Sequence, residues 1–296
     1  MEEKTVIALG FFDGVHVGHG ALLRRTIERA RELDAEPAAF TFDRSPKEFV
    51  TGIPVPLLTD VSERCALIRE EYGIRRVIVA QFDRQMMTMP WQDFLERLLV
   101  GMHHAVHLVA GHDYHFGYRN EGTPERLRAW CAEHGLGCDI IPKVELDGTT
   151  VSSTYIRGLV ERGELARAAL FLGRPYALSG TVAHGRGLGT SELVPTINLA
   201  FPAARVLPPR GVYASRTRLP DGTRVPSVTN VGVNPTVGGE DTLSVETHLI
   251  GYAGDLYGAS VRVEFLRYLR AERQFASVEE LHRQIERDIE QAKREQ

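Results

Sequence analysis

The chain has 296 residues and a net charge of −4, with 35 Lys and Arg against 39 Asp and Glu. Hydrophobic residues make up 43% and charged residues 25%, which is typical of a soluble globular protein without a basic footprint for nucleic acid. The length favours two domains over one. Three cysteines are too few for a disulfide framework, and no apolar run approaches the roughly 18 residues that would span a membrane. No signal-peptide core follows the first residues. We therefore expect a cytoplasmic protein with neither a nucleic-acid nor a membrane partner.

The first part of the chain, residues 1–172, alternates short apolar runs with amphipathic ones. The predicted strands are 6–11, 38–42, 76–80, 106–110 and 138–142, and the predicted helices are 19–33, 62–72, 90–100 and 123–134, with Ser62 as the cap of the second. Nearly all-apolar strands between amphipathic helices favour a parallel sheet covered on both faces. We predict a doubly wound α/β domain, with ligands beyond the carboxyl ends of its strands.

The stretch GFFDGVHVGH (residues 10–19) follows the first predicted strand and leads into the first predicted helix. His16 and His19 lie three residues apart at that helix start, so both imidazoles can face one anion. Backbone N–H groups and the positive end of the helix dipole favour phosphate there. The turn is neither a P-loop nor a Gly-x-Gly-x-x-Gly turn. The alternative is a capped helix with two surface histidines.

A second polar motif, VSSTYIR (residues 151–157), follows the fifth predicted strand. Ser152, Ser153 and Thr154 offer hydroxyl and N–H groups at a helix start, and Arg157 follows on the next turn, where it can clamp a polyphosphate. By itself the motif would indicate an ordinary N-cap. Its combination with His-x-Gly-His upstream makes phosphate binding the better hypothesis.

From residue 173 onwards, Gly, Pro and Thr separate short strands without intervening helices. The predicted strands are 180–183, 196–201, 212–219, 225–231, 244–250 and 261–266. This spacing predicts a small antiparallel β-barrel. A C-terminal helix over 277–295 is expected to begin with a Ser277/Glu280 capping box. Its apolar stripe, which we expect to pack on the barrel, comprises Val278, Leu281, Ile285, Ile289 and Ala292.

Together these motifs resemble a known family. His-x-Gly-His at a strand-to-helix turn is similar to the nucleotidylyltransferase signature. The stretches GFFDGVHVGH (10–19), GHDYHFGYRNEGT (111–123), VSSTYIR (151–157) and LGRPYALSGTVAHG (172–185) resemble the bacterial bifunctional riboflavin kinase/FAD synthetases, in the family's order. The resemblance implies an FMN adenylyltransferase domain over 1–172, with a nucleotidylyltransferase-like fold, and a riboflavin kinase barrel over 173–296. The first would transfer AMP from ATP to FMN, giving FAD and pyrophosphate; the second would phosphorylate riboflavin to FMN.

The resemblance also implies roles for residues of the first half. His16 and His19 would bind and polarise the ATP phosphates, while Arg157 would hold the leaving pyrophosphate with Ser153 and Thr154. Asp113 and Phe116 would lie near the flavin. The ATP-binding set implied for this half is Gly10, Phe12, Asp13, Gly18, Ser152, Ser153 and Thr154.

In the second half, the Gly-rich run HGRGLG (184–189) can wrap ATP phosphates through backbone N–H groups. Its candidate ATP-binding residues are Gly185, Gly187 and Gly189. The run PTIN (195–198) resembles the family's Pro-Thr-Ala-Asn, which implies Mg²⁺ contacts for Thr196 and Asn198. By the same resemblance Glu246 would be the general base for the riboflavin 5′-hydroxyl. The substrates would be riboflavin, FMN and ATP.

Some positions depart from the family pattern. Ser45 stands where many members carry the His of Pro-His-Pro, and Thr190, Leu193 and Ile197 replace residues of the family's kinase loop. These departures leave open a monofunctional FMN adenylyltransferase with an impaired kinase barrel. A non-catalytic flavin- or nucleotide-binding protein is a further alternative, and the first half alone also fits adenylyl or cytidylyl transfer to another phosphate. The sequence does not set an oligomeric state.

Overall fold

The computed structural model describes residues 3–183, 196–202, 204–235 and 241–295. The chain divides into two compact units, Met1–Ser153 and Thr154–Gln296. Each unit contains its own sheet. No helix in the described ranges is long and apolar enough to cross a membrane.

The first unit is built on a five-stranded parallel sheet with the strand order β3-β2-β1-β4-β5. Its strands are β1 (Thr5–Leu9), β2 (Glu36–Phe42), β3 (Arg76–Ala80), β4 (Ala105–Gly111) and β5 (Gly137–Ile141). Its helices are α1 (Val17–Glu32), α2 (Pro46–Thr51), α3 (Val61–Tyr72), α4 (Arg84–Thr88), α5 (Trp91–Asp93) and α6 (Pro124–Glu133). A two-stranded hairpin of β6 (Glu145–Leu146) and β7 (Thr149–Thr150) follows. The strand order changes direction at β1, which makes its carboxyl end a topological switch point.

Both faces of this sheet are covered, which is why β1 is buried along its whole length. Ile7 and Leu9 belong to one apolar cluster, which includes Phe94, and Val6 and Ala8 belong to a second, which includes Leu23 of α1. Alternate side chains of a strand point to opposite faces, so a strand apolar at every position needs a core on each side. The predicted doubly wound parallel sheet is confirmed.

Local details differ from the sequence prediction at three helices. Asp60, not Ser62, caps α3, because its carboxylate accepts the Glu63 N–H at 2.8 Å; the prediction of Ser62 was wrong. The helix predicted from residue 90 continues from α5 into a π-helix over Phe94–Met102. Helix α2 was not predicted, and Ser45 caps it by accepting the Glu48 N–H at 3.3 Å.

The second unit is a closed six-stranded antiparallel barrel with the order β10-β11-β12-β9-β8-β13. Its strands are β8 (Tyr176–Ala183), β9 (Thr196–Ala200), β10 (Gly211–Arg218), β11 (Arg224–Pro235), β12 (Asp241–Leu249) and β13 (Ser260–Arg270). Helices α7 (Ser153–Glu161) and α8 (Leu165–Leu172) precede the barrel, and α9 (Val278–Arg294) follows it. The predicted small barrel with a C-terminal helix is confirmed.

The barrel interior contains buried hydroxyl groups that satisfy one another. Thr229 Oγ1 lies 2.7 Å from Ser215 Oγ and 2.9 Å from Thr247 Oγ1, which links β10, β11 and β12. Thr217 Oγ1 and Ser227 Oγ lie 2.8 Å apart in the same way. All five side chains are fully buried. Because each hydroxyl has a partner, polar residues fit this core.

Helix α9 is joined to the barrel by an ion pair as well as by apolar packing. Arg270, at the end of β13, donates to both carboxylate oxygens of Asp288, with Nη2 2.7 Å from Oδ2. The predicted N-cap is confirmed, since Ser277 Oγ accepts the Glu280 N–H at 3.2 Å. Val278 is 56% exposed, so its inclusion in the packing stripe was wrong. It lies in the first turn, outside the stretch of the helix that covers the barrel.

Candidate active sites

The loop between β1 and α1, residues 10–19 (the HxGH loop), has an unusual backbone. Phe12 and Val15 have φ angles of 56° and 41°, in the left-handed region that non-glycine residues rarely adopt, and Gly14 has φ 80°. Such conformations cost on the order of 1–2 kcal/mol for each non-glycine residue and persist where the surroundings enforce them. Phe12 and Val15 are both fully buried. Strain held in place by burial, at a switch point of the sheet, marks this loop as a functional candidate.

Asp13 fixes the loop from within the protein. Its Oδ1 accepts the backbone N–H groups of Leu58 and Thr59 at 2.9 and 3.0 Å, and Thr59 Oγ1 lies 3.3 Å away. Thr59 Oγ1 in turn accepts the Gly14 N–H at 2.8 Å, and Ser153 Oγ donates to the Asp13 carbonyl oxygen at 2.9 Å. The Asp13 side chain is 2% exposed. It therefore shapes the loop through backbone contacts, and a direct contact with ATP stays a prediction.

The two predicted histidines are brought together. Their rings are stacked, with centroids 3.6 Å apart and an interplanar angle of 11°. His16 caps α1, and its Nδ1 accepts the His19 backbone N–H at 3.2 Å. An imidazole that accepts at Nδ1 carries its proton on Nε2, so His16 presents Nε2–H as a donor. The pair thus forms one compact donor site at the positive end of a helix.

Two of the predicted glycines are required by close packing within the loop. A Cβ on Gly10 would lie 2.9 Å from Cζ of Phe12, whose ring also contacts His19 edge-on at 5.2 Å. A Cβ on Gly18 would lie 3.1 Å from Nδ1 of His16. Both glycines therefore allow aromatic rings to fold back over the backbone, and Phe12 supports the histidine pair from inside the unit.

Arg64 of α3 is a functional candidate that the sequence did not indicate. It is fully buried, its Nη2 donates to the Phe42 carbonyl oxygen at 2.8 Å, and its guanidinium lies 4.3 Å from the ring centroid of Phe11. Burial lowers the pKa of Arg64 below its usual value, against the opposing charges of Asp13 and other acids. From the sequence, an arginine on an amphipathic helix is expected to lie at the surface. Only the tertiary structure shows that Arg64 is a buried cation beside the HxGH loop.

An apolar cavity of about 600 Å³ lies in the first unit. It is lined by Phe42, the last residue of β2, and by residues that follow β2, β3 and β4, among them Phe82 and Phe116. Phe116 is 5% exposed and stacks with Tyr114, whose pKa is raised by burial. This volume and lining are typical of a small-molecule site. Asp113, the other predicted flavin residue, does not line the cavity, and its side chain is 82% exposed.

The Ser-Ser-Thr motif begins α7 as expected. Ser153 is the first helical residue, directly after Ser152, and its hydroxyl reaches the HxGH loop through the Asp13 carbonyl. Arg157 Nη1 lies 3.5 Å from the Thr154 hydroxyl, one turn apart on the helix. The roles of Thr154 and Arg157 towards pyrophosphate stay predictions.

In the barrel, strand register brings the predicted kinase residues together. Glu246 of β12 lies directly opposite Asn198 of β9, and His248 lies opposite Thr196. On its other side Glu246 lies opposite Asn230 of β11. Residues that face each other across antiparallel strands share one face of the sheet. Thr196, Asn198 and Glu246 therefore form one polar patch, which Asn230 joins from β11.

A cavity of about 210 Å³ lies over this patch, between the barrel wall and α9. It is lined by Glu246, Asn230 and His248 from the barrel, and by Phe275 and Ile285 from the C-terminal segment. Carboxylate and amide groups thus face an apolar cover, an arrangement suited to a ligand with one apolar and one polar part.

The Gly-rich kinase loop lies outside the described residues, and with it Gly185, Gly187, Gly189, Thr190 and Leu193. Ile197 is described. It pairs with Thr247 of β12, so it points to the face of β9 opposite to that of its neighbours in the polar patch.

Comparison with known proteins assigns both units. A family model for FAD synthetase matches residues 1–155, and one for riboflavin kinase matches residues 172–295. A bifunctional riboflavin kinase/FMN adenylyltransferase of Pseudomonas fluorescens is 36% identical over 96% of this chain and 90% of its own length. The protein with the same description from Bacillus subtilis (strain 168) is 30% identical, over 98% of this chain and 92% of its own length.

Among solved structures, one described as a macrolide-efflux protein from Streptococcus pneumoniae has a TM-score of 0.85 and 29% identity. The match covers 99% of this chain and 95% of that one. Its description differs from those of the sequence relatives, and the structural likeness supports the fold alone.

Matches to two family models define a class of protein, a transferase that joins an FAD synthetase module to a riboflavin kinase module. The chain belongs to the bifunctional riboflavin kinase/FMN adenylyltransferase family. The family, the enzyme class and the bifunctional flavin chemistry predicted from the sequence are confirmed.

Proposed function

We propose that the two reactions of the family are divided between two sites of this chain. Adenylylation of FMN takes place in the domain 1–172, at the HxGH loop, and phosphorylation of riboflavin takes place in the domain 173–296, at Glu246. The observation that carries the first assignment is the stacked His16/His19 pair at the switch point of the sheet. Cross-strand pairing of Glu246 with Asn198 supports the second. The substrates are small molecules, and we place the enzyme in the cytoplasm.

In the adenylyl transfer, an oxygen of the FMN phosphate attacks the α-phosphorus of ATP, and the bond to pyrophosphate breaks. The phosphate is already a nucleophile, so the protein contributes alignment and charge stabilisation. His16 Nε2–H, the His19 imidazole stacked on it and the N-terminus of α1 donate to the phosphates as negative charge builds up. Ser153, Thr154 and Arg157 hold the leaving pyrophosphate. The cavity of about 600 Å³ takes the isoalloxazine ring of FMN, with Phe116 in its wall.

In the kinase reaction, Glu246 accepts the proton of the riboflavin 5′-hydroxyl as its oxygen attacks the γ-phosphorus of ATP, and ADP leaves. Thr196 and Asn198 offer a hydroxyl and an amide oxygen on the same strand face, two residues apart, which fits a hard cation such as Mg²⁺. Across the described ranges no group of three or more His, Cys, Asp or Glu could hold a metal. Thr196, Asn198 and the nucleotide phosphates would hold the Mg²⁺, which would neutralise phosphate charge.

Two variants test the division of labour. His19→Ala is expected to lower FAD formation from FMN and ATP at least about tenfold while FMN formation from riboflavin is nearly unchanged. Glu246→Gln is expected to do the reverse, because an amide cannot accept the proton. Each variant is the control for the other, since each leaves one site intact. Equal loss of both activities in either variant would refute the division. Absence of FMN formation in the unaltered enzyme would favour a monofunctional adenylyltransferase.

A further inference from the structure

Asn230 occupies a special position beside the proposed kinase base. It lies directly opposite Glu246 across the β11–β12 pair, just as Asn198 lies opposite Glu246 across the β12–β9 pair. Opposed residues on antiparallel strands have Cβ atoms about 4.5–5.5 Å apart and point to the same side. The Glu246 carboxylate is therefore flanked by two primary amides. Asn198 belongs to the proposed Mg²⁺ patch, whereas Asn230 has no role in the reaction described above.

The orientation of the Asn230 amide is set by Glu272. Nδ2 of Asn230 donates to Oε1 of Glu272 at 2.9 Å. A carboxylate can only accept, so the amide nitrogen must face it and the amide oxygen must face away. That oxygen is buried, and no residue that the structure describes donates a hydrogen bond to it. Buried acceptors are nearly always satisfied in proteins, so we expect a donor for this oxygen beyond the described residues, and a hydroxyl group of a bound substrate can supply it.

Gly232 makes room for this arrangement. It lies two residues after Asn230 on β11, hence on the same face of the strand. A Cβ at this position would collide with Oε1 of Glu272 and would lie 3.1 Å from Nδ2 of Asn230. The absence of a side chain at Gly232 therefore gives the Glu272 carboxylate its place against the barrel wall. Asn230 and Glu272 line the cavity of about 210 Å³ together with Glu246.

We propose that Asn230 is a substrate-binding residue whose Oδ1 accepts a hydrogen bond from the 4′-hydroxyl of riboflavin, and that Glu272 is the positioning residue that holds the amide in this orientation. The inference rests on the proposed role of Glu246. The 5′-hydroxyl has one proton, which goes to Glu246, so it cannot also be donated to Asn230. The adjacent 4′-hydroxyl is the nearest remaining donor on the ribityl chain. Asn230 thus selects for a polyol next to the carbon that is phosphorylated.

The test compares phosphorylation of riboflavin with that of 4′-deoxyriboflavin, which keeps the reactive 5′-hydroxyl. For each flavin, kcat/KM is measured by chromatographic separation of the phosphorylated product. Asn230→Ala is expected to lower kcat/KM for riboflavin about tenfold and to leave that for 4′-deoxyriboflavin within about twofold. The same loss with both flavins, or no loss with riboflavin, would overturn the proposal, since either result means that Asn230 does not contact the 4′-hydroxyl.

A second variant acts without altering the amide. Gly232→Ala pushes the Glu272 carboxylate from its place and releases the Asn230 side chain. We therefore expect kcat/KM for riboflavin to fall by less than in Asn230→Ala, and kcat/KM for 4′-deoxyriboflavin to stay nearly unchanged. The double variant is expected to be no worse than Asn230→Ala, because both changes remove one interaction. Additive losses would show that Gly232 and Glu272 act on something else. FAD formation from FMN is the control for correct folding.

An unchanged rate of riboflavin phosphorylation in Glu246→Gln would refute the role of Glu246 as the base. The comparison of the two flavins would still be decisive for Asn230.

Discussion

The buried carboxylate of Asp13 allows a sharp test of whether the HxGH loop is held by backbone contacts. Its Oδ1 accepts two backbone N–H groups, from Leu58 and Thr59, and the side chain is almost completely buried. Asp13→Ala removes the acceptor of both buried N–H groups, and each lost hydrogen bond costs about 1–3 kcal/mol. We expect a loss of about 3–5 kcal/mol in the stability of the first unit. Asp13→Asn keeps an oxygen in place and should cost only about 1–2 kcal/mol.

The distribution of tryptophan makes this measurable in the full chain. The protein has two tryptophans, and both Trp91 and Trp130 belong to the first unit. Tryptophan fluorescence therefore follows unfolding of that unit separately from the barrel, which matters because a two-unit protein need not unfold in one transition. With a urea dependence of about 2 kcal/mol per molar, Asp13→Ala should lower the midpoint by about 2 M, and Asp13→Asn by less than about 1 M.

The activities then decide what Asp13 does. If its role is to shape the loop, Asp13→Asn keeps most of the adenylyl transfer, within about threefold, while Asp13→Ala loses far more. Riboflavin phosphorylation is the internal control and should be unchanged in both. Abolition of FAD formation in Asp13→Asn, with an unchanged unfolding midpoint, would refute this reasoning. It would show that the negative charge itself acts on the nucleotide or on a metal bound to it.

Three further predictions concern packing and charge. Gly137→Ala should destabilise the first unit by about 1–3 kcal/mol in urea, because the new Cβ would collide with the His107 ring. That ring is held in place by its Nε2, which lies 3.0 Å from Oδ2 of Asp139. An unchanged urea midpoint would contradict this. Burial lowers the pKa of His107 from about 6.5, so this residue contributes stability above pH 6.5 that is lost as pH falls through its folded-state pKa. His107→Gln should therefore lose less stability than the unaltered protein between about pH 7 and pH 5. Parallel plots of unfolding free energy against pH for the two proteins would refute this. Asp288→Asn weakens the ion pair with Arg270, so amide exchange in α9 should accelerate with FAD formation intact; equal exchange would show that apolar packing alone holds the helix.

The sequence by itself determined the architecture. Five nearly all-apolar strands between amphipathic helices can be buried only in a sheet covered on both faces, and six short strands without helices close into a barrel. The pairing of His16 with His19 also follows from local spacing, since residues three apart at a helix start lie side by side. Such patterns are local, and for this reason they can be recognised in a single sequence.

Only the tertiary structure decided which side chains contact the sites from distant parts of the sequence. Asp13 meets Leu58 and Thr59, and Arg64 reaches the HxGH loop from another helix, through contacts between residues far apart in the chain. The position of Asn230 opposite Glu246 depends on strand register, which a shift of one residue would reverse. Register and long-range hydrogen bonds are set by the packing of the whole unit, and no local pattern of residues encodes them.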